Sequence, residues 1–207
     1  MTNDSSTGGY ILPTANPAPL EGQALLRFFQ QIIAGITGLD GTMVRPYWQG
    51  ESPNIPDAGD AWAAFRINKR PSDTFPFVGR LPYGTDTGVD HLQRHELLEF
   101  FVEFYDLGST GVNNTGGLAD NYAALLRDGL AIPQNREPLF LNGMGLIKVG
   151  DLVTAPSIFK LRWQYRVDFE FTVGRQIDRS YQVLTIVAAN GDIYTDGGLP
   201  PQPFKAP

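Results

Sequence analysis

The chain has 207 residues, 42% of them hydrophobic and 12% aromatic, enough to bury the core of one domain and too much for a wholly disordered polypeptide. Its formal net charge of -6 disfavours both a sequence-independent grip on nucleic-acid phosphates and attachment to an anionic membrane surface. The chain has no cysteine, which excludes disulfides, thiolate catalysis and cysteine-ligated metals.

Residues 1–19 are polar and then spaced by Pro13, Pro17 and Pro19, a composition that buries too little apolar area to fold alone. They are expected to form an extended arm. The first six residues lack the cationic and apolar regions of a secretory signal. No apolar run reaches the roughly 20 residues that span a bilayer. The expectation is a soluble protein made in the cytoplasm.

From Leu20 the pattern changes. Leu25, Leu26, Phe28, Phe29, Ile32, Ile33 and Ile36 recur at helical spacing, and Gly38 follows as a stop. Prolines at 46, 53 and 56 make the next stretch irregular, and Ala61–Asn68 then has the composition of a strand. A Pro/Gly-rich segment, Arg70–Gly88, separates it from His95–Asp106. There Leu98, Phe100, Val102 and Phe104 alternate with Glu99, Phe101 and Glu103, although Leu97, Phe101 and Tyr105 also suit a helix. Aromatic enrichment favours the strand.

The loop Gly108–Gly117 carries four glycines and two asparagines and is expected on the surface. Asp120 is placed to cap a helix over Asn121–Leu130, which Pro133 ends. Leu146–Val153 is a short strand candidate. In Leu161–Val173 the alternation is strict: Leu161, Trp163, Tyr165, Val167, Phe169, Phe171 and Val173 interleave with Arg162, Gln164, Arg166, Asp168, Glu170 and Thr172. Such a strand puts one face on a core and leaves the other polar, as in an antiparallel sheet. Tyr181–Ala189 is a further strand, and Asn190-Gly191 offers a two-residue hairpin turn into Asp192-Ile193-Tyr194. Residues 197–207 form a Pro-rich tail, so the layout is an arm over 1–19, one domain over 20–196 and a second extended arm.

Chemistry is sparse. The two histidines, His91 and His95, lie four apart, which on a helix would allow a metal. On a strand they sit about 13 Å apart. The glutamate follows the second histidine instead of lying between the two, so a solvated loop is the better reading. No Gly-x-Ser-x-Gly, P-loop or dinucleotide fingerprint occurs. Glu99 and Glu103 would share a strand face roughly 13 Å apart, too far for a glycosidase pair. Tyr47, Trp48 and Trp62 flank a proline loop and are better explained by packing than by stacking of a base. No catalytic, cofactor-binding or metal residues are assigned. Arg162, Arg166, Asp168 and Glu170 share the polar face of the long strand. Two readings stand for them: a solvated face with cross-strand ion pairs, or a face that meets a neighbouring subunit or lines a channel.

The order of elements is itself informative. A long helix leads into Arg45-Pro46-Tyr47-Trp48 and the Trp62 strand. A strand opening Arg94-His95-Glu96 and closing Phe104-Tyr105-Asp106 leads through a loop into the short helix and Pro133-Gln134-Asn135-Arg136. The Met144–Val149 and Trp163–Val173 strands follow. Over residues 20–195 this resembles the neck or tail-terminator family of long-tailed bacteriophages. The resemblance implies an α+β fold, a mixed, largely antiparallel β-sheet packed against two or more α-helices. It implies a non-enzymatic virion protein at the head–tail junction, with no cofactor. Copies would form a six-fold ring that ends the tail tube and joins it to the head connector. Its partners would be itself, the tube, the sheath, and connector or collar proteins, with genomic DNA passing through unbound. Competing readings are another neck component, such as a collar, connector or tail-completion subunit, and a small-molecule-binding or hydrolytic domain using the Tyr47/Trp48/Trp62 region with His91 or His95.

Overall fold

The computed structural model describes residues 10–14, 19–47, 61–81, 87–106, 117–155, 157–159, 162–184, 190–193 and 202–205. They fall into two compact units, one drawn from 18–74 and 94–177, the other from 1–17, 75–93 and 178–207.

In the first unit, helix α1 (Gly22–Thr37) buries Leu25, Phe29, Ile32 and Ile33, the residues that its sequence spacing puts on one stripe. It stops where expected: Gly38 turns into the left-handed region at φ 76° and donates its N–H to the Ala34 carbonyl at 2.8 Å. A short 3-10 turn, Gly41–Met43, follows, capped by Asp40, whose carboxylate accepts from Thr42 N–H at 2.8 Å. The Gln30 side chain then donates to the carbonyls of Gly41 and Val44, both at 2.7 Å, pinning the connection to the helix.

Strand β1 (Val44–Pro46) pairs in parallel with β2 (Ala61–Lys69), and β2 is antiparallel to β4 (Thr87–Asp106). Beyond β4 come helices α2 (Gly117–Ala131) and α3 (Pro133–Leu141), then β5 (Met144–Thr154), β6 (Ser157–Phe159) and β7 (Arg162–Leu184). The sheet runs β1-β2-β4-β7-β5, with β6 also on β7. Two register shifts break the β5 ladder, between Leu146 and Lys148 and between Val149 and Leu152. Bulges of this kind blunt an edge strand. The fold is α+β with an open mixed sheet, as the resemblance implied.

Among the described residues, helices α1, α2 and α3 pack on one face of that sheet. Leu98, Phe100, Val102 and Phe104 of β4 meet Val167, Phe169, Phe171 and Val173 of β7 beneath Phe29, Leu126 and Leu139. The Phe100 and Phe171 rings stack at 4.8 Å and 8°, and Phe29 lies 4.0 Å from Phe100. A Phe-to-Ala change in such a cluster costs about 3–5 kcal/mol. At the crossing of α2 over α1, a Cβ on Gly129 would run into Ile36, so any side chain here forces Ile36 to shift.

The second unit contains β3 (Phe77–Leu81), antiparallel to the start of β4, and the hairpin of β8 (Asn190–Ile193) with β9 (Gln202–Lys205). Thr14 bridges to Ser180 near the end of β7.

Several local expectations need correction. Asp120 is not a cap. It lies within the first turn of α2, where its carboxylate accepts the Tyr165 hydroxyl at 2.7 Å, while Asp106 accepts the Leu118 N–H at 3.3 Å. Pro133 opens a helix as well as following one, since at the first position its missing N–H costs nothing. The Pro/Gly-rich 70–88 stretch contains β3. Tyr181–Leu184 belongs to β7 and is not a separate strand, while 185–189 lies outside the described residues. Asn190-Gly191 lies in β8, not in a turn. The Gly108–Gly116 loop and Trp48 are also outside the described residues.

Candidate subunit-contact face

Alternation along each strand of the larger unit sends one set of side chains to the helices and the other set to the opposite face. On that opposite face the β2/β4 register sets Trp62 against Tyr105, Ala64 against Glu103 and Arg66 against Phe101. Trp62 and Tyr105 stack at 4.3 Å and 11°, backed by Met43 and Tyr47. Tyr47 and Tyr105 bring their hydroxyls within 3.3 Å. The Arg66 guanidinium lies 4.9 Å from the Tyr47 ring and 4.6 Å from the Phe101 ring, held between the two by cation–π attraction.

From this aromatic patch a chain of charges runs onto β7. Tyr105 donates to Glu103 at 2.9 Å, Glu103 lies 3.4 Å from Arg166, and Arg166 lies 2.9 Å from Asp168. The second Arg166 contact with Asp168, from Nη2 at 3.1 Å, has hydrogen-bond geometry, whereas the 2.9 Å approach of Nε to Oδ1 is a charge contact only. Glu103 is 4% exposed. Burial pushes its carboxyl above the usual range and the Asp168 charge adds to this, against the pull of Tyr105 and Arg166. Burial raises Asp168 likewise, with Arg166 and Arg66 pulling it down. The Tyr105 phenol is raised by burial and by the adjoining Glu103. Burial works against the Arg166 cation, but Asp168 and Glu103 outweigh it and its pKa rises.

Of the four candidates taken from the sequence, Arg166 and Asp168 are therefore engaged with each other and with Glu103. Glu170 is exposed on the same strand. The Arg162 side chain lies outside the described residues. Sequence reasoning overlooked Glu103, Tyr105, Trp62 and Arg66 as members of this face. The strand phase of Glu103 was readable, but its partner across the sheet was not.

A second charged cluster was not anticipated at all. Arg175 of β7, its side chain 3% exposed, donates to Glu96 at 2.6 Å, to the Leu20 carbonyl at 2.6 Å and to Glu21 at 2.8 Å. Arg70 reaches the same two carboxylates, at 2.9 Å to Glu21 and 3.1 Å to Glu96. Two arginines and two glutamates thus clasp the start of α1 to β4 and β7. Burial acts to raise the Glu21 carboxyl, but Arg70 and Arg175 outweigh it and hold it below its usual value.

The histidines do not converge. His95 Nδ1 meets Asp73 at 3.2 Å, and His91 Nδ1 meets the Ser180 hydroxyl at 3.1 Å. Among the described residues no cluster of three or more His, Asp or Glu side chains is arranged to hold a metal, and no helix is long and apolar enough to cross a membrane. What the larger unit offers is a stiff face of packed rings and paired charges.

A family profile described as phage neck terminator protein matches residues 23–198. The chain belongs to this family. The match covers most of the chain, including α2, α3, all but the first residue of α1, and the strands of the charged face. No curated protein matches the sequence. Membership makes the protein a structural component of the phage neck, in contact with other head and tail parts. The Glu103–Arg166–Asp168 chain and the Glu21–Arg70–Glu96–Arg175 clasp are accordingly contacts within one terminator protomer.

Proposed function

We propose that copies of this neck terminator form a ring at the head-proximal end of the tail, ending the tail tube and joining it to the head connector, with DNA passing through the lumen. The family match over residues 23–198 carries this reading. Two features support it. A closed ring needs two different surfaces that meet head to tail. The larger unit has a charged and aromatic sheet face on one side and a helical layer with exposed Leu125, Phe140 and Leu141 on the other. The net charge of -6 also suits a channel in which DNA moves without sticking. Six is the copy number that the resemblance implies.

Arg162, Arg166, Asp168 and Glu170 remain the proposed subunit-contact or lumen residues, with a division of labour. Arg166 and Asp168 keep the face rigid, and Glu170 presents charge to solvent. The test is native mass spectrometry and electron microscopy of the full chain, alone and with purified tail tubes. Closed rings seated on the tube end are expected. A chain that stays monomeric in both conditions overturns the reading, and rings found at another level of the neck would make it a collar or connector subunit.

A further inference from the structure

Helices α1 and α3 leave a groove of about 540 Å3 between them. Its lining combines apolar Ile32, Ile36 and Leu141, with Gly35 among them, and side-chain amides such as Gln31 and Gln134. Leu141 is 80% exposed, and its neighbour Phe140 64%. Only one lining residue, Glu137, is charged. Extended segments dock in such grooves by burying apolar side chains while side-chain amides bond to their free backbone carbonyls.

Gly35 points to use of the groove. It sits in the interior of α1, where glycine weakens a helix relative to alanine. A Cβ built there meets nothing within 4 Å, so packing of the protomer does not require the glycine. Gly129 behaves oppositely, since its added Cβ would strike Ile36. With no side chain at position 35, that part of the groove stands open.

A matching segment lies in the same chain. Thr14 is anchored to Ser180, with its N–H at 2.8 Å and its hydroxyl at 3.0 Å from one carbonyl oxygen. Just before this anchor, Tyr10 is 92% exposed and Leu12 67% exposed. The run Tyr10-Ile11-Leu12-Pro13-Thr14 is uncharged, so it enters a nearly neutral groove without electrostatic cost.

We propose that the α1/α3 groove receives the Tyr10–Thr14 segment of a neighbouring copy, with Tyr10 and Leu12 as the anchoring side chains. This rests on the ring reading and specifies one of its contacts. Segment and groove are different surfaces, so the exchange is head to tail and closes into a ring. Fixing the segment at Thr14 lowers the entropy lost when it docks.

The experiment uses the full chain, with Gly35→Met to fill the groove and the double change Tyr10→Ser/Leu12→Ser to strip the segment. A fluorescent peptide of residues 8–16 provides a direct probe. Gly35→Met is expected to melt no lower than the parent, confirming that it folds, while the concentration needed for ring assembly rises tenfold or more in both variants. The peptide binds the parent and loses at least tenfold in affinity for Gly35→Met. Should Gly35→Met perturb the fold after all, Gly35→Leu with the same peptide titration takes its place. Rings that assemble in both variants as in the parent overturn the segment exchange and leave the ring reading standing. A parent that never assembles, even on tubes, sinks the ring reading, and the peptide titration then decides the groove by itself. A peptide that binds parent and Gly35→Met equally, or neither, refutes the groove assignment.

Discussion

Replacing Arg175 with methionine keeps most of the aliphatic stem of the side chain and removes its charge, which isolates the clasp. Three hydrogen bonds disappear: to Glu96 at 2.6 Å, to the Leu20 carbonyl at 2.6 Å and to Glu21 at 2.8 Å. Breaking a buried ion pair from one side costs about 3–5 kcal/mol, because the remaining charge stays buried. Here the loss is partly cushioned. Arg70 still reaches Glu96 at 3.1 Å, and the Glu21 side chain is 41% exposed and can turn to water. The expected destabilisation is therefore about 2–3 kcal/mol, just below that range. With a urea slope of about 2–3 kcal/mol per molar for a chain of this size, the unfolding midpoint falls by roughly 1 M. Pairing the change with Glu96→Gln completes a double-mutant cycle. The double variant should recover about 1–3 kcal/mol relative to the sum of the single changes, since each alone strands the other's charge. A midpoint drop under about 0.3 M, or strict additivity of the two changes, would refute the clasp as a stabilising element.

Other predictions follow from the same geometry. The lowered pKa of Glu21 means that its pairing contributes stability above the usual carboxylate range and loses it as pH falls through the depressed value, so the Arg175→Met penalty should shrink in acid urea melts. Glu103 has the opposite sign, since a raised pKa means that ionising it costs the folded state stability as pH rises through the shifted value. Glu103→Gln should therefore be at least as stable as the parent at neutral pH, and the two curves should converge in acid; a large loss at neutral pH would contradict this. Gly129→Ala should destabilise by about 1–3 kcal/mol through its collision with Ile36, whereas Gly35→Ala should stabilise by about 0.5–1 kcal/mol, both measured by thermal or urea melts. Charge reversal at Arg166 should lower protomer stability as well as assembly, because Glu103 and Asp168 lose their common partner, so Glu170→Lys is the cleaner probe of the outer face.

The elements that could be read directly were those whose burial repeats along the chain. The stripe from Leu25 to Ile33 made α1 visible, and the alternation of Leu98 to Phe104 and of Val167 to Val173 identified two central strands and their inward faces. The alternation in fact runs further than hydrophobicity showed. Arg175 and Ile177 continue the buried phase of Val173, and Glu96 continues that of Leu98. Two charged residues therefore occupy core positions, and a search for apolar periodicity stopped short of them. Pro133 misled for a related reason, since a proline after a helix can equally be the first residue of the next.

Sequence alone determined α1 and the inward faces of the central strands β4 and β7, because side-chain period is a local property of the backbone, whereas β3, α3 and β8 left no such mark. Tertiary structure alone decided which strands lie side by side. That choice brings Glu96 to Arg175 across 79 residues, Glu103 beneath Arg166, and Arg66 between Tyr47 and Phe101. Pairing of distant strands depends on the whole set of competing contacts and leaves no periodic mark at either partner, so the charged face and the clasp became visible only once the chain was folded.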